Sequence, residues 1–168
     1  MIKCIIYSFC VVSISFSQLI PGRISLAGNG YYQDLSDKDD YDHYERIEFT
    51  AAASYNFNQS ISIDTKFNFY RRDSAGLFVS QTVLEYKTVY IGFSRFLKNN
   101  VFFSFLVGSE SASEGNYHYA NENQEEILTV GLGYRADLTS SISVDVGYFL
   151  GSRENSEGQF EFLIRMFI

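Results

Sequence analysis

The sequence predicts an all-β protein: an eight-stranded antiparallel up-and-down transmembrane β-barrel preceded by a signal peptide. Residues 159–168 alternate strictly, with Phe160, Phe162 and Ile164 on one face, as expected of a strand that has one face in lipid. Short turns and longer polar connections also alternate along the chain. Proline is confined to Pro21, which suits continuous strands because proline lacks the backbone donor that a ladder needs.

Residues 1–17 are predicted to be a secretory signal peptide, and residues 18–168 the barrel domain. Lys3 supplies the positive start, and Ser15 and Ser17 place small residues before a predicted cleavage at Gln18. The apolar run between them is shorter than the roughly 20 residues of a spanning helix. Cys4 and Cys10 both lie in this segment, so a processed chain has no disulfide and no thiolate chemistry.

The charge balance argues against a nucleic-acid partner. The chain has 13 Lys and Arg against 20 Asp and Glu, a formal net charge of −7. No basic patch of the kind that binds phosphate backbones is present.

The first four strands are predicted over residues 23–32, 46–55, 61–70 and 77–96, each from an apolar alternation. The fourth is the least regular, and its alternation is clear only near its end. The outward members are Ile24 and Leu26, then Ile47, Phe49 and Tyr55, then Ile63, Phe67 and Phe69, and then Val89, Ile91 and Phe93.

The other four strands are predicted over residues 101–107, 128–134, 142–150 and 159–168. Their outward members include Phe103 and Phe105, then Val130 and Leu132, then Val144 and Val146, and then Phe162 and Ile164. Short turns are predicted at 57–60, 97–100 and 136–140, and longer loops at 33–45, 71–76, 109–124 and 151–158. Outer-membrane barrels place short turns at the periplasmic end and longer loops outside.

Ionic residues fall on the face that this alternation turns inward. They are Glu48, Asp64, Lys66, Asp145, Glu161 and Arg165. An eight-stranded barrel is just wide enough for side chains to fill it. We therefore expect a filled interior in which these groups pair as an ionic network, because an unpaired buried charge is costly. A narrow ion path lined by the same groups is the alternative.

The signal segment, the eight alternating strands, the rhythm of turns and loops, and the terminal Phe162-Leu163-Ile164-Arg165-Met166-Phe167-Ile168 resemble small outer-membrane barrels of the OmpA transmembrane domain and OmpX type. The resemblance implies a non-enzymatic protein of the Gram-negative outer membrane without a cofactor, in contact with membrane lipid and lipopolysaccharide. It also implies a C-terminal signal for the barrel-assembly machinery, carried by Phe162, Ile164, Met166 and Ile168. Many of those proteins end in Phe, whereas this sequence ends in Ile.

The polar loops are predicted to make contacts with partners. The candidate residues are Asp37, Asp39, Asp40, Tyr41, Asp42, Tyr44, Tyr117 and Tyr119. The aspartates offer oxygen ligands for Ca²⁺, but the stretch lacks the Gly and terminal Glu of an EF-hand loop, and a solvated acidic loop is the simpler hypothesis. The alternative hypothesis is that the tyrosines of these loops contact a protein or a glycan.

Four hypotheses for function follow. The first is an integral barrel that acts structurally or through its acidic, Tyr-rich loops. The second is an accessory subunit of a larger outer-membrane complex, in contact with other outer-membrane proteins. The third is a lipid A-modifying hydrolase that uses His43 or His118 with nearby Ser and Glu. The fourth is a soluble lipocalin-like barrel, which would hold the apolar faces inside and Asp64, Lys66 and Arg165 outside.

Overall fold

The chain forms a closed barrel of eight antiparallel strands. The computed structural model describes residues 19–34, 43–76, 79–97, 100–116, 119–152 and 158–168. The strands are β1 (Ile24–Asp34), β2 (His43–Asn56), β3 (Ile61–Gly76), β4 (Val79–Phe96), β5 (Val101–Asn116), β6 (Tyr119–Asp137), β7 (Ile142–Gly151) and β8 (Gln159–Phe167). Each strand pairs with its sequence neighbours, and β1 also pairs with β8. The predicted up-and-down barrel of eight strands is confirmed.

Among these described residues, no helix is long and apolar enough to cross a bilayer.

The outer face of the barrel is apolar. One row of register partners crosses seven strands from β1 to β7, and all of its side chains are exposed: Ile24, Tyr55, Ile63, Phe93, Phe105, Val130 and Leu150. The row starts at the first residue of β1 and ends near the end of β7, so the strands are strongly tilted, as barrel closure requires. Arg165 and Asp145 are buried inside. The lipocalin-like hypothesis is therefore wrong, because the apolar face is outside and the charges are inside.

Three short connections and both described chain ends lie at one end of the barrel, here called the turn end. In two of the connections, a side-chain oxygen accepts two backbone N–H groups: Asn58 Oδ1 from Ser60 and Ile61, and Thr139 Oγ1 from Ser141 and Ile142. Such side-chain caps pre-form tight turns. This chemistry explains why these connections stay short.

The opposite end, here called the loop end, is taller than predicted. Residues 71–76 and most of 109–124 are strand and not loop: β3 runs to Gly76, β5 runs to Asn116 and β6 begins at Tyr119. These extensions carry no period-two apolar signal, yet the backbone ladder needs no apolar side chain to continue. The prediction of wide loops at these two places is wrong for that reason.

Inside the barrel, aromatic rings lie over glycines of the neighbouring strand. Gly108 is the register partner of Tyr90, Gly133 of Phe102, and Gly131 of Phe149. A Cβ built on any of these glycines would overlap the facing ring. The glycines therefore give the rings room to lie flat against the wall, which determines how much of the interior stays open.

Candidate functional site

An ionic cluster centred on Asp145 fills the turn-end half of the interior. Arg135 Nε donates to Asp145 Oδ1 at 2.6 Å, and Arg165 Nε donates to Oδ2 at 2.8 Å. Arg165 Nη1 also donates to the hydroxyls of Ser25 and Ser54, at 2.7 Å each. Arg135, Asp145 and Arg165 are 3%, 4% and 5% exposed. One carboxylate thus accepts hydrogen bonds from two buried guanidinium groups. We call these three residues the Asp145 cluster.

Arg135 was not among the predicted interior residues, although the alternation of β6 would have predicted that it points inward. The inward positions of β6 are Thr129, Gly131 and Gly133, and extending the alternation by two residues reaches Arg135. Its register partner is Asp145. The predicted turn at 136–140 obscured this, because a residue beside a turn is not expected to point into a core.

Apolar side chains close the barrel below the Asp145 cluster. Leu19, Phe96 and Phe102 form a buried group, and the Arg135 guanidinium lies 4.4 Å from the Phe96 ring centroid. The segment before β1 is tied to the turn end, since Gly22 N donates to Asn56 O at 2.8 Å. At this end the interior is filled by charge pairs and packed rings.

A second ion pair lies midway up the interior. Lys66 Nζ is 2.6 Å from Glu161 Oε1, and both side chains are nearly buried. The same Nζ is 4.6 Å from the Phe149 ring centroid and 5.6 Å from that of Tyr90. One carboxylate and two aromatic faces therefore hold the Lys66 charge.

Above this pair, the loop-end half holds a cavity of about 920 Å³. This differs from the expectation of an interior filled throughout, and two of the rings that lie over glycines, those of Tyr90 and Phe149, line the cavity. We call it the loop-end cavity. Its polar and aromatic lining includes Asn29, Tyr31, Arg46, Glu48, Lys66, Asn68, Tyr70, Tyr86, Thr88, Tyr90, Glu110, Thr129, Phe149, Gln159 and Glu161.

Hydrogen bonds organise the upper wall of the cavity. Arg46 Nε donates to Glu48 Oε1 at 2.6 Å, and the Arg46 guanidinium lies over the rings of Tyr31 and Tyr70 at 5.7 and 5.4 Å. On the far wall, Thr88 Oγ1 donates to Glu110 Oε2 at 3.1 Å. The lining thus combines paired charges with tyrosine rings.

The six predicted interior residues fall into separate groups and do not form one network. Lys66 pairs with Glu161, and Asp145 with Arg165, as described above. Glu48 pairs with Arg46, and Asp64 Oδ1 accepts the Ser62 hydroxyl at 3.0 Å. These groups are separate in their direct hydrogen bonds and ion pairs, although Asp64, Lys66, Asp145, Glu161 and Arg165 all line the same small cavity of about 40 Å³.

The predicted loop contacts lie mostly outside the described residues. Asp37, Asp39, Asp40, Tyr41, Asp42 and Tyr117 are outside them, and Tyr119 is the first residue of β6. Tyr44 is not in a loop, because it lies in β2 opposite Ser74. Its ring lies 5.1 Å from the Arg72 guanidinium. The predicted assembly signal, Phe162, Ile164, Met166 and Ile168, is exposed on the outer face.

Comparison with solved structures shows which proteins have a similar fold. No protein-family model and no curated protein sequence matches the chain. The crystal structure of Ail, the attachment invasion locus protein of Yersinia pestis, matches with a TM-score of 0.56 at 15% identity, covering 88% of this chain and 99% of Ail. The fold is that of a small outer-membrane β-barrel.

Two further structures of the same Yersinia pestis protein agree. Ail in a phospholipid bilayer nanodisc matches this outer-membrane-type barrel with a TM-score of 0.52 at 16% identity, covering 88% of this chain and 99% of that one. Ail in complex with the heparin analogue sucrose octasulfate gives a TM-score of 0.55 at 16% identity, covering 86% and 95%. At these identities the likeness concerns the fold alone.

Proposed function

We propose that this chain is a non-enzymatic integral protein of the Gram-negative outer membrane, exported by a signal peptide at residues 1–17. The observation that carries the proposal is the row of exposed apolar side chains that crosses seven strands, from Ile24 to Leu150. In water such a surface would drive aggregation. In a bilayer it is the expected lipid contact, and a closed barrel leaves few backbone groups unpaired there.

The orientation follows from the position of the chain ends. Barrels of this class enter and leave from the periplasm, with short turns on that side. The turn end would then face the periplasm, and the loop-end cavity would face outward. The exposed Phe162, Ile164 and Met166 would be accessible to an assembly machine that reads the outer face of β8.

The protein acts, in this proposal, through its acidic loop end. Residues 109–126 contain five Glu and no basic residue, and residues 34–45 contain Lys38 among six acidic residues. Ail has been crystallised with the polyanion sucrose octasulfate. The loop-end connections from β1 to β2 and from β5 to β6 would repel a polyanion, so the partners of these connections are expected to be neutral or cationic.

The test is electrophoretic migration of the protein extracted from outer membranes. A folded barrel in SDS migrates differently before and after boiling, and the protein should fractionate with the outer membrane. Identical migration with and without boiling, together with recovery in the soluble fraction, would contradict the proposal.

The same preparation tests the accessory-subunit hypothesis, because a stoichiometric partner would appear by mass spectrometry. The described part of the chain gives the hydrolase hypothesis no geometric support. His43 opens β2 opposite Ala75, and His118 lies outside the described residues. Unchanged lipid A acylation in a deletion strain is the expected result.

A further inference from the structure

The pairing of β1 with β8 that closes the barrel is short, and we call the junction between these two strands the seam. Register pairs join only residues 25–28 of β1 to residues 164–167 of β8, whereas β1 pairs with β2 up to Asp34. The next contact toward the loop end is made by a side chain: Asn29 Nδ2 donates to the carbonyl of Phe162 at 2.6 Å. Among the described residues, β1 has no ladder partner on β8 beyond this point.

The open part of the seam lies at the level of the apolar outer face. Tyr32 on β1 and Phe160 on β8 lie beyond the last ladder pair, and their side chains are 62% and 84% exposed. These two side chains flank the seam on the outer side of the barrel.

The two edges of the seam also line the loop-end cavity. Asn29 and Tyr31 contribute from β1, and Gln159, Phe160 and Glu161 from β8. Phe160 is the most exposed apolar side chain on the outer face and still borders the cavity. The cavity therefore lies directly behind the seam.

One atom in the cavity wall lacks a hydrogen bond. Asn68 Oδ1 is buried and has no partner among the described residues, although Asn68 lines the cavity. A buried acceptor left unsatisfied costs about 1–3 kcal/mol. A ligand with a hydroxyl donor would satisfy it.

The charges of the cavity select against an anionic ligand. Its two cations are already paired, Arg46 with Glu48 and Lys66 with Glu161. The remaining carboxylate is Glu110, which accepts from Thr88. A phosphate would meet no free cation among these groups, and it would face a third carboxylate.

We propose that the seam admits the head group of an outer-leaflet amphiphile into the loop-end cavity while the acyl chain stays in the bilayer, and that this head is uncharged and rich in hydroxyl groups. The inference rests on the proposed membrane location. Tyrosine rings offer flat faces to such a head, and Asn68, Thr129 and Gln159 offer hydrogen bonds.

The experiment uses the full barrel in phospholipid nanodiscs and two photoreactive probes with the same alkyl chain. One probe carries a glucose head and the other a phosphocholine head, each with a diazirine beside the head. The glucoside should crosslink to interior residues such as Glu161 and Tyr90. The phosphocholine probe should crosslink only to outer residues such as Phe160 and Ile164.

A reversible closure of the seam tests the path. Continuing the register beyond Gly28 places Gly30 opposite Phe162, and a Cβ on Gly30 meets no atom closer than 3.8 Å. Gly30→Cys with Phe162→Cys, closed by oxidation or by a short bifunctional thiol reagent, should abolish interior crosslinking by the glucoside. Reduction of the oxidised form should restore it, and residues 18–168 contain no other Cys.

The outcomes separate the claims. Interior crosslinks that persist with the seam closed would show entry from the loop end and overturn the lateral path. Equal interior labelling by both probes, or unchanged labelling in Asn68→Leu, would overturn the head-group chemistry. Outer crosslinks without interior ones would overturn this inference and leave the membrane location intact, whereas no outer crosslinks would overturn the membrane location itself.

Discussion

Asp145 is the residue on which the closed turn-end half depends most. Its two carboxylate oxygens receive hydrogen bonds from Arg135 and Arg165 at 2.6–2.9 Å. Removing one partner of a buried ion pair is more damaging than replacing the whole group, because the remaining charge is left without compensation. Without Asp145, the two buried guanidinium groups of Arg135 and Arg165 would lose the carboxylate that both of them bind.

Asp145→Ala should therefore lower the free energy of unfolding by about 3–5 kcal/mol. The measurement is equilibrium urea unfolding of the barrel in lipid vesicles. The matched control is Glu85→Gln, whose partner Lys87 at 2.6 Å is half exposed, and this change should cost less than about 1 kcal/mol. Similar losses for the two variants would contradict the assignment of Asp145.

At this scale the sequence predicted which face a charge takes, but not its partner. Lys66 and Glu161 were both expected inside, and they pair across the interior at 2.6 Å. Their pairing depends on the stagger of the strands, which period-two alternation does not contain. Asn68 could not have been singled out either, because alternation does not show which inward acceptor lacks a donor.

At the scale of the strands, register is maintained by glycines as well as by apolar residues. Gly131 and Gly147 both lie against the Phe149 ring. The ring covers glycine backbone that has no side chain of its own, and such coverage by an aromatic ring stabilises glycines in β-sheets. The contact of Gly131 with Phe149 links β6 to β7, whereas Gly147 lies on the same strand as the ring.

Gly131→Ala should destabilise the barrel by about 1–3 kcal/mol, because the new methyl group overlaps the Phe149 ring. In the double variant with Phe149→Leu the loss should be smaller than the sum of the single losses. Gly30→Ala is the control, since its Cβ has space. Urea unfolding measures all four proteins, and strict additivity would show that the ring and the glycine do not interact.

The strands themselves were predictable within the apolar belt and not above it. The ladder pairs Ser113 with Glu122 and Glu110 with Glu125, where a loop was expected. Alternation reports the contrast between lipid and lumen, and that contrast ends where water contacts both faces. Sequence pattern therefore locates the membrane-spanning part of a hairpin and misses its extension.

At the scale of the whole molecule, the apolar outer face requires a lipid environment. Ile91 is 61% exposed and lies in β4, opposite Thr65 and Val107 on the neighbouring strands. Ile91→Arg should cost about 2–4 kcal/mol in bilayers. Ser111→Arg, on the exposed extension of β5, should change stability by less than about 0.5 kcal/mol. Equal tolerance of both changes in vesicle unfolding would argue against a membrane-spanning belt.

The whole interior is expected not to conduct ions, because the Asp145 cluster and the buried rings close the turn end. Single-barrel recordings in planar bilayers should show no steady current for the native protein. The double variant Arg135→Ala with Arg165→Ala should give measurable openings, since it removes both large side chains from the closed half. Arg46→Ala, above the closure, should stay silent. Steady current through the native barrel would support the ion-path alternative.

The position of the seam also bears on the speed of folding. Seven of the eight strand pairings join sequence neighbours and can form as local hairpins, but β1 meets β8 only when both ends of the chain come together. The Arg165 to Ser25 hydrogen bond spans 140 residues of sequence. Contacts of such separation pay the loop-closure entropy before they gain energy. Closure of the seam, rather than formation of the hairpins, should therefore set the folding rate of this barrel.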